Sequence, residues 1–151
     1  MSEISGKWDD FWDKDWQEFF IQEQISGDSI DVKRIYLKMA GDIVAGVLLS
    51  QIVFWCLPTK EWRSKLRVYR DGCLWVAKSR TGWEEEDGIP ITPRQVDRAL
   101  KILRDAGLVE TVIHRFRGAP TIHIRLTKKF LEEWHRMHKE RVEKLGISPI
   151  R

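Results

Sequence analysis

The clearest helical pattern in the chain covers residues 93–106. Thr92 precedes it as an N-cap residue, Pro93 suits the first helical position, and Gln95 is placed to complete a capping box. Gly107 supplies the left-handed backbone conformation that ends a helix. The sequence therefore predicts one well-delimited helix between these signals.

The two faces of this helix differ in character. Apolar residues recur at intervals of three and four and predict a face that packs on a core: Val96, Ala99, Leu100 and Leu103. The opposite face carries four cations and one acid: Arg94, Asp97, Arg98, Lys101 and Arg104. A cationic face alone usually indicates only a solvated surface, so the rest of the chain has to decide its role.

Four further segments have helical patterns. Residues 42–55 are apolar on nearly all sides and predict the central helix of the core. A short helix that is capped by Ser79 or Thr81 and ends at Gly88 is also expected. Thr127 is placed to cap a long C-terminal helix that ends near Gly146. Near the N-terminus, aromatic residues recur at steps of three to four with acids between them. This pattern predicts an acidic amphipathic helix that contains Trp8, Trp12, Trp16, Phe19 and Phe20.

Two hairpins are predicted among these helices. β-prone runs flank Asp71–Gly72, a dipeptide that favours a tight turn. Residues 108–115 and 121–126 form two more strand-like runs around a turn marked by Gly118 and Pro120. Helix, hairpin, short helix, capped basic helix and then two strands with a basic tip is the order of a winged helix-turn-helix.

The predicted fold class is therefore α+β and mainly helical, with a winged helix-turn-helix that has an added hairpin and N- and C-terminal helices. Residues 1–31 form an acidic, tryptophan-rich arm, residues 32–126 the winged-helix domain, and residues 127–151 a C-terminal helix. The aromatic residues of the arm either cap the core of the domain or dock a partner.

The net charge of +3 conceals an uneven distribution. Residues 1–31 contain two lysines and nine acids, a net charge of −7, whereas residues 32–151 carry a net charge of +10. A basic body joined to an acidic arm is typical of a domain that binds a polyanion. This distribution favours nucleic acid as the ligand of the cationic helix.

Two segments carry a resemblance to a known group of families: WVAKSRTGWEEEDGIPITPRQVDRALKILRDAGLVE and HRFRGAPTIHIRL. Together they resemble the winged-helix domains of phage and plasmid replication proteins and of DnaD-type primosome components. LLSQIVFW looks like the first helix of that group, so the resemblance covers about residues 35–126. Repressors of the MarR and GntR kinds share much of the same pattern.

This resemblance implies that residues 92–106 are a recognition helix that lies in the major groove of duplex DNA. Arg94, Gln95 and Arg98 are then candidates for reading bases, although Gln95 is also needed by the capping box. Phosphate contacts are expected from Lys101, Arg104, Arg115 and Arg117. With Thr92 at the helix entry, the candidate DNA-binding residues are Thr92, Arg94, Gln95, Arg98, Lys101, Arg104, Arg115 and Arg117.

Asp97 interrupts this cationic set. Its spacing allows an ion pair with Arg94 or Lys101, which would weaken the local positive field. A carboxylate there is also able to accept a hydrogen bond from a cytosine amine. The sequence leaves both roles open.

Three functions are compatible with these patterns. The first is a replication accessory or initiation protein that binds duplex DNA and recruits another replisome protein. The alternatives are a transcriptional repressor of the MarR/GntR kind and a protein-interaction module that does not bind DNA. A homodimer formed through the N-terminal arm or the C-terminal helix is compatible with each of them.

Enzymatic motifs are missing from the sequence. It contains no phosphate-binding GxxxxGK[ST] loop, no GxSxG motif and no paired Cys/His nucleophile, so we expect neither an enzyme nor a cofactor. His135 and His138 are spaced like metal ligands but are surrounded by basic residues, and we expect no metal. The consecutive acids of residues 84–87 are expected to form a solvated face.

The remaining indications concern location. No apolar run reaches the roughly 18 to 20 residues that span a bilayer, and the acidic N-terminus does not resemble a signal peptide. Cys56 and Cys73 are expected to be reduced thiols, since neither belongs to a CxxC pair. These features favour a cytoplasmic protein without a membrane partner.

Overall fold

A computed structural model describes residues 6–146, which divide into two compact units at Asp31 and Val32. The first five residues of the predicted arm and the last five of the predicted C-terminal segment lie outside the described residues. Residues 6–146 form six α-helices and four β-strands, and about half of them are helical. The predicted α+β class is confirmed.

The first unit contains a 3-10 helix, Trp8–Asp10, and helix α1, Lys14–Ile25. Asp13 caps α1 by accepting a hydrogen bond from the backbone N–H of Trp16 at 3.2 Å. The predicted continuous helix is therefore wrong at its start, because this cap leaves the first two tryptophans outside α1.

Aromatic rings of the first unit contact one another. The ring centroids of Trp12 and Phe20 lie 4.8 Å apart, and Phe20 also contacts Trp8 and Trp16. Half of the surface of Trp16 (51%) and of Phe19 (50%) nevertheless remains exposed. Ring packing within this unit thus leaves an exposed aromatic surface.

Helices flank a single antiparallel sheet in the second unit. Its strands lie in the order β1-β2-β4-β3, so β2 pairs with β4 and the two outer strands belong to different hairpins. In chain order the elements are α2 (Arg34–Ala40), α3 (Ile43–Cys56), β1 (Val68–Arg70), β2 (Cys73–Lys78), α4 (Gly82–Glu85), α5 (Pro93–Asp105), β3 (Val109–Phe116), β4 (Ala119–Leu126) and α6 (Lys128–Leu145).

The core of the second unit is centred on α3 and α5. Helix α3 buries most of its circumference, as its nearly continuous apolar sequence predicts. Helix α6 adds Phe130, which stacks on Tyr36 of α2 with ring centroids 6.1 Å apart. The predicted inner face of α5 is confirmed, because the same four residues are buried: Val96, Ala99, Leu100 and Leu103.

Helix α2 is not among the predicted elements, since seven residues are too few to show a clear periodicity. It ends at Gly41, whose φ of 68° is left-handed, and it buries Ile35 and Tyr36. Its backbone packs directly on α3 at Gly46, where a Cβ atom would lie 2.7 Å from the Cα atom of Leu37. Only glycine permits this close helix packing.

Both hairpins close through two-residue turns in which both central residues have positive φ, as in type I′ turns. The predicted turn at Asp71–Gly72 is confirmed, with φ values of 52° and 75°. The second turn is Arg117–Gly118, and the predicted place of Pro120 in it is wrong, because Pro120 pairs with Arg115 inside the hairpin. Strand β2 pairs with β4 only at residues 122–124, so the missing N–H of Pro120 is tolerated.

The short helix α4 begins after Thr81 and is only one turn long. The predicted side-chain cap is wrong: the Thr81 hydroxyl makes no capping bond and instead lies 3.4 Å from the hydroxyl of Ser79. Burial holds this turn in place, because Trp83 is only 1% exposed. Gly88 ends the segment with a φ of 69°, as expected.

Candidate nucleic-acid interface

The N-terminus of α5 is held by the predicted capping box. The backbone N–H of Gln95 donates to the Thr92 hydroxyl at 3.2 Å, and the Thr92 N–H donates to Oε1 of Gln95 at 2.9 Å. The Gln95 amide oxygen is therefore already used within the protein. Reading an adenine in a bidentate manner would require Gln95 to give up this bond.

Arg94 is the exposed cation of the first turn of α5. Among residues 6–146 no carboxylate lies within ion-pair distance of its guanidinium group. An unpaired arginine near the N-terminus of an exposed helix has its hydrogen-bond donors free for a guanine edge or a phosphate.

Arg98 is in contrast engaged with another element. Its two Nη atoms donate to the carboxylate of Asp42 at 2.9 and 3.3 Å, and Asp42 also caps α3 by accepting from the N–H of Ala45 at 3.0 Å. The hydrogen bonds from Arg98 hold the pKa of Asp42 below its ordinary value, and the bond from Ala45 adds to this effect. A DNA group that binds Arg98 would therefore compete with this carboxylate for its guanidinium group.

Asp97 pairs with neither of the partners that its helical spacing predicts. Its carboxylate accepts hydrogen bonds from Nη2 and Nε of Arg80 at 2.5 and 3.0 Å. Arg80 belongs to the segment between β2 and α4, so this pair joins that segment to α5. The predicted ion pair of Asp97 with Arg94 or Lys101 is not formed, because the partner of Asp97 is Arg80.

The cations at the end of α5 also have partners. Lys101 forms an exposed ion pair with Asp105 one turn later, at 2.8 Å. Arg104 donates to the hydroxyl of Thr111 on β3 at 3.2 Å, so it lies where the helix adjoins the sheet. Exposed pairs of this kind are weak and exchange readily for a phosphate.

The remaining two candidates lie at the tip of the β3–β4 hairpin. Arg115 donates to the carbonyl oxygen of Gly118 across the turn at 3.1 Å. The guanidinium carbon of Arg117 lies 5.1 Å from the centroid of the Phe116 ring. Eight strand residues at about 3.3 Å each extend this tip roughly 26 Å from the end of α5. Arg115 and Arg117 thus belong to the hairpin rather than to α5 itself.

The two histidines of the hairpin, His114 and His123, contact each other. The register pairs His114 with Thr121 and His123 with Val112, so the two histidines are diagonal neighbours rather than directly opposite. Their ring centroids nevertheless lie 5.3 Å apart, and His123 is fully buried with Nδ1 2.9 Å from the carbonyl oxygen of Thr121.

The other two histidines contact an aromatic ring on α6. His138 stacks on Trp134 with centroids 4.6 Å apart, and His135 contacts the same ring edge-on. In the part of the chain that the structure describes, no group of three or more potential ligands is arranged to hold a metal ion.

A buried ion pair joins strand β2 to the segment after α4. It was not among the residues predicted for the site. Lys78 of β2 is 7% exposed, and its ammonium group lies 2.6 Å from Asp87 and 3.3 Å from Glu86. The indole N–H of Trp55 also donates to Asp87, at 3.3 Å. The expectation of a fully solvated acidic run is therefore wrong for Asp87, because Lys78 and Trp55 draw this carboxylate into the protein.

Comparison with known proteins gives no match: no protein-family model, no curated protein and no solved structure corresponds to this chain. Within residues 6–146, every helix is too short or too polar to traverse a bilayer.

Proposed function

We propose that this chain is a duplex-DNA-binding protein of the winged-helix type. The observation that carries the proposal is the succession of α4, α5 and the β3–β4 hairpin, in which cationic side chains occupy the exposed face of the capped helix and the tip of the hairpin. In a winged helix these two elements contact the major groove and the adjacent backbone, respectively.

The side chains of this interface differ in how freely they can contact DNA. Arg94 is the leading candidate for a base contact, because no carboxylate among residues 6–146 lies within ion-pair distance of its guanidinium group. Arg98 contributes once its pair with Asp42 is exchanged, and Gln95 once its capping bond is broken. We assign the phosphate contacts to four other cations, because their present interactions are solvent-exposed or weak: Lys101, Arg104, Arg115 and Arg117.

Salt dependence tests the proposal directly. Four phosphate contacts would give a slope of log K against log salt of about −3.6 on duplex DNA. Fluorescence anisotropy with a labelled mixed-sequence duplex, titrated at several salt concentrations, measures this slope. A chain that binds no duplex at low salt, or binds it equally at every salt concentration, does not have this function.

A second test uses the carboxylate that holds Arg98. We expect Asp42→Asn to raise duplex affinity about two- to fivefold, the range that corresponds to the free energy of an exposed ion pair. Asparagine is also a good N-cap, so the start of α3 is retained. Glu133→Gln is the matched control, because it removes one negative charge beside Arg136 on α6, outside the proposed interface. Equal effects of the two substitutions would show that Arg98 does not contact DNA.

We further propose that the protein acts in replication of the phage or plasmid type, as an accessory or initiation protein. The support is the resemblance of residues 35–126, together with an exposed aromatic surface on the first unit that suits a partner protein or a second copy of the chain. A repressor is the alternative, and genome-wide binding separates the two. Occupancy restricted to the promoter of its own gene would favour the repressor, and occupancy at an origin the replication protein.

A further inference from the structure

A cavity of about 340 Å³ lies in the second unit between the end of α3, strand β2 and the tip of the β3–β4 hairpin. Its lining includes three aromatic residues, Trp55, Trp75 and Phe116. Its volume falls within the range of natural small-ligand sites. We call it the hairpin cavity.

The charged residues that line the hairpin cavity are mostly cationic: Lys65, Arg67, Lys78 and Arg117, with Glu86 as the one acid among the described residues. Lys78 is neutralised by its pairs with Asp87 and Glu86. The other three cations have no carboxylate within ion-pair distance in residues 6–146. The cavity therefore combines aromatic residues, over whose rings cations lie, with three positive charges that no carboxylate of residues 6–146 neutralises.

Lys65 lies against two aromatic rings at the end of α3. Its ammonium group lies 3.5 Å from the ring centroid of Phe54 and 5.9 Å from that of Trp55. Partial burial against these rings lowers the pKa of Lys65 below its ordinary value. An anionic group bound in the cavity would replace the water contacts that this ammonium group loses on burial.

An exposed tryptophan stands close to the cavity along the chain. Trp62 is 83% exposed and has a φ of 61°, a left-handed conformation that bulky residues rarely adopt. The loop around it is closed by hydrogen bonds from Thr59 N–H to the Arg63 carbonyl at 2.8 Å and from Trp62 N–H to the Thr59 carbonyl at 2.9 Å. Lys65 is the third residue after Trp62, so their Cα atoms lie at most about 11 Å apart.

From this juxtaposition we propose that the hairpin cavity and Trp62 form a site for single-stranded DNA. An unpaired nucleotide presents a flat base, which can stack on the exposed ring of Trp62, and a phosphate, which the cations of the cavity can bind. The bases of a duplex are stacked on one another, so neither Trp62 nor the cavity could reach their faces. The site shares Arg117 with the proposed duplex interface, but Trp62, Lys65 and Arg67 belong to the single-strand site alone.

Anisotropy with labelled single strands tests the site in the full chain. The probes are oligo(dT) and oligo(U) of twelve nucleotides, with free thymidine monophosphate as a competitor. We expect oligo(dT) binding to weaken about 5- to 150-fold in Trp62→Gly, which keeps the backbone conformation but removes the ring, and to recover in Trp62→Phe. Lys65→Gln combined with Arg67→Gln removes two phosphate contacts and should reduce the salt slope by about 1.4.

The control is Lys139→Gln combined with Lys144→Gln, which removes two positive charges from α6 and should leave the binding of single strands unchanged. The same variants are titrated with duplex DNA, whose affinity we expect them to retain. Variants that bind oligo(dT) as the wild type does would overturn the site, as would an equal loss of duplex and single-strand binding. If the monophosphate competes at the same concentration as the oligonucleotide, the cavity binds free nucleotides. If the chain prefers oligo(U), the cavity binds RNA. Either result would overturn a site for DNA strands.

Discussion

Asp87→Asn should lower the free energy of unfolding by about 3 kcal/mol, although the substitution changes neither the size nor the shape of the side chain. The carboxylate of Asp87 is the nearest counter-charge of Lys78, whose side chain is only 6% exposed. Removing one member of a buried pair leaves an uncompensated charge, which typically costs 3 to 5 kcal/mol. Glu86 at 3.3 Å retains part of the compensation, so we expect the lower end of this range.

The same pair should behave differently when both charges are removed. Lys78→Met combined with Asp87→Asn leaves no unpaired ammonium group, and the asparagine oxygen can still accept the hydrogen bond from Trp55. We therefore expect the double variant to be more stable than Asp87→Asn alone, as measured by chemical denaturation in a double-mutant cycle. Additive losses would mean that the two side chains contribute independently.

The local elements of the second unit are largely predictable because their signals are local. Thr92 and Gly107 bracket α5 within sixteen residues, and Asp71–Gly72 specifies a turn by itself. The short helix α2 has the stop signal Gly41, but no side chain caps its start. Its position depends on Gly46, which lies in the next helix and acts through a close backbone contact.

The charge of the candidate interface is less predictable than its position. Helical periodicity places Arg98 and Asp97 on the exposed face of α5, but their partners come from distant segments. Asp42 is 56 residues from Arg98 along the chain, and Arg80 is 17 residues from Asp97. The exposed face is therefore less positive than its own sequence indicates, and Arg94 gains importance as a result.

Lys78 shows a signal that could have been found in the sequence. Side chains alternate between the two faces of a strand, so Lys78 shares its face of β2 with Val76, which is 3% exposed. A lysine on an inward face requires a nearby acid, and the acidic run of residues 84–87 supplies it. The hairpin cavity has no such signal, because α3, β2 and the β3–β4 hairpin meet there only through the tertiary fold.

Trp83→Ala should destabilise the chain by about 3 to 5 kcal/mol, the usual cost of truncating a buried aromatic side chain. Trp83 is 1% exposed and is the only large side chain of α4 in the core. A helix of one turn has no stability of its own, so its place before α5 depends on this ring. The carbonyl of Trp83 also accepts from the N–H of Ile89 at 3.0 Å, which fixes the segment that leads into α5.

Trp62→Ala is the matched comparison, since it removes the same ring from a position that is 83% exposed. Substitutions at such surface positions usually change stability by no more than about 0.5 kcal/mol. Urea denaturation of both variants should therefore give a difference of about 2.5 kcal/mol or more between two identical substitutions. A small loss in Trp83→Ala would mean that α4 is held by its backbone and by the Lys78 ion pair rather than by burial of this ring. A large loss in Trp62→Ala would mean that the Trp62 side chain packs against the protein instead of standing free for a ligand.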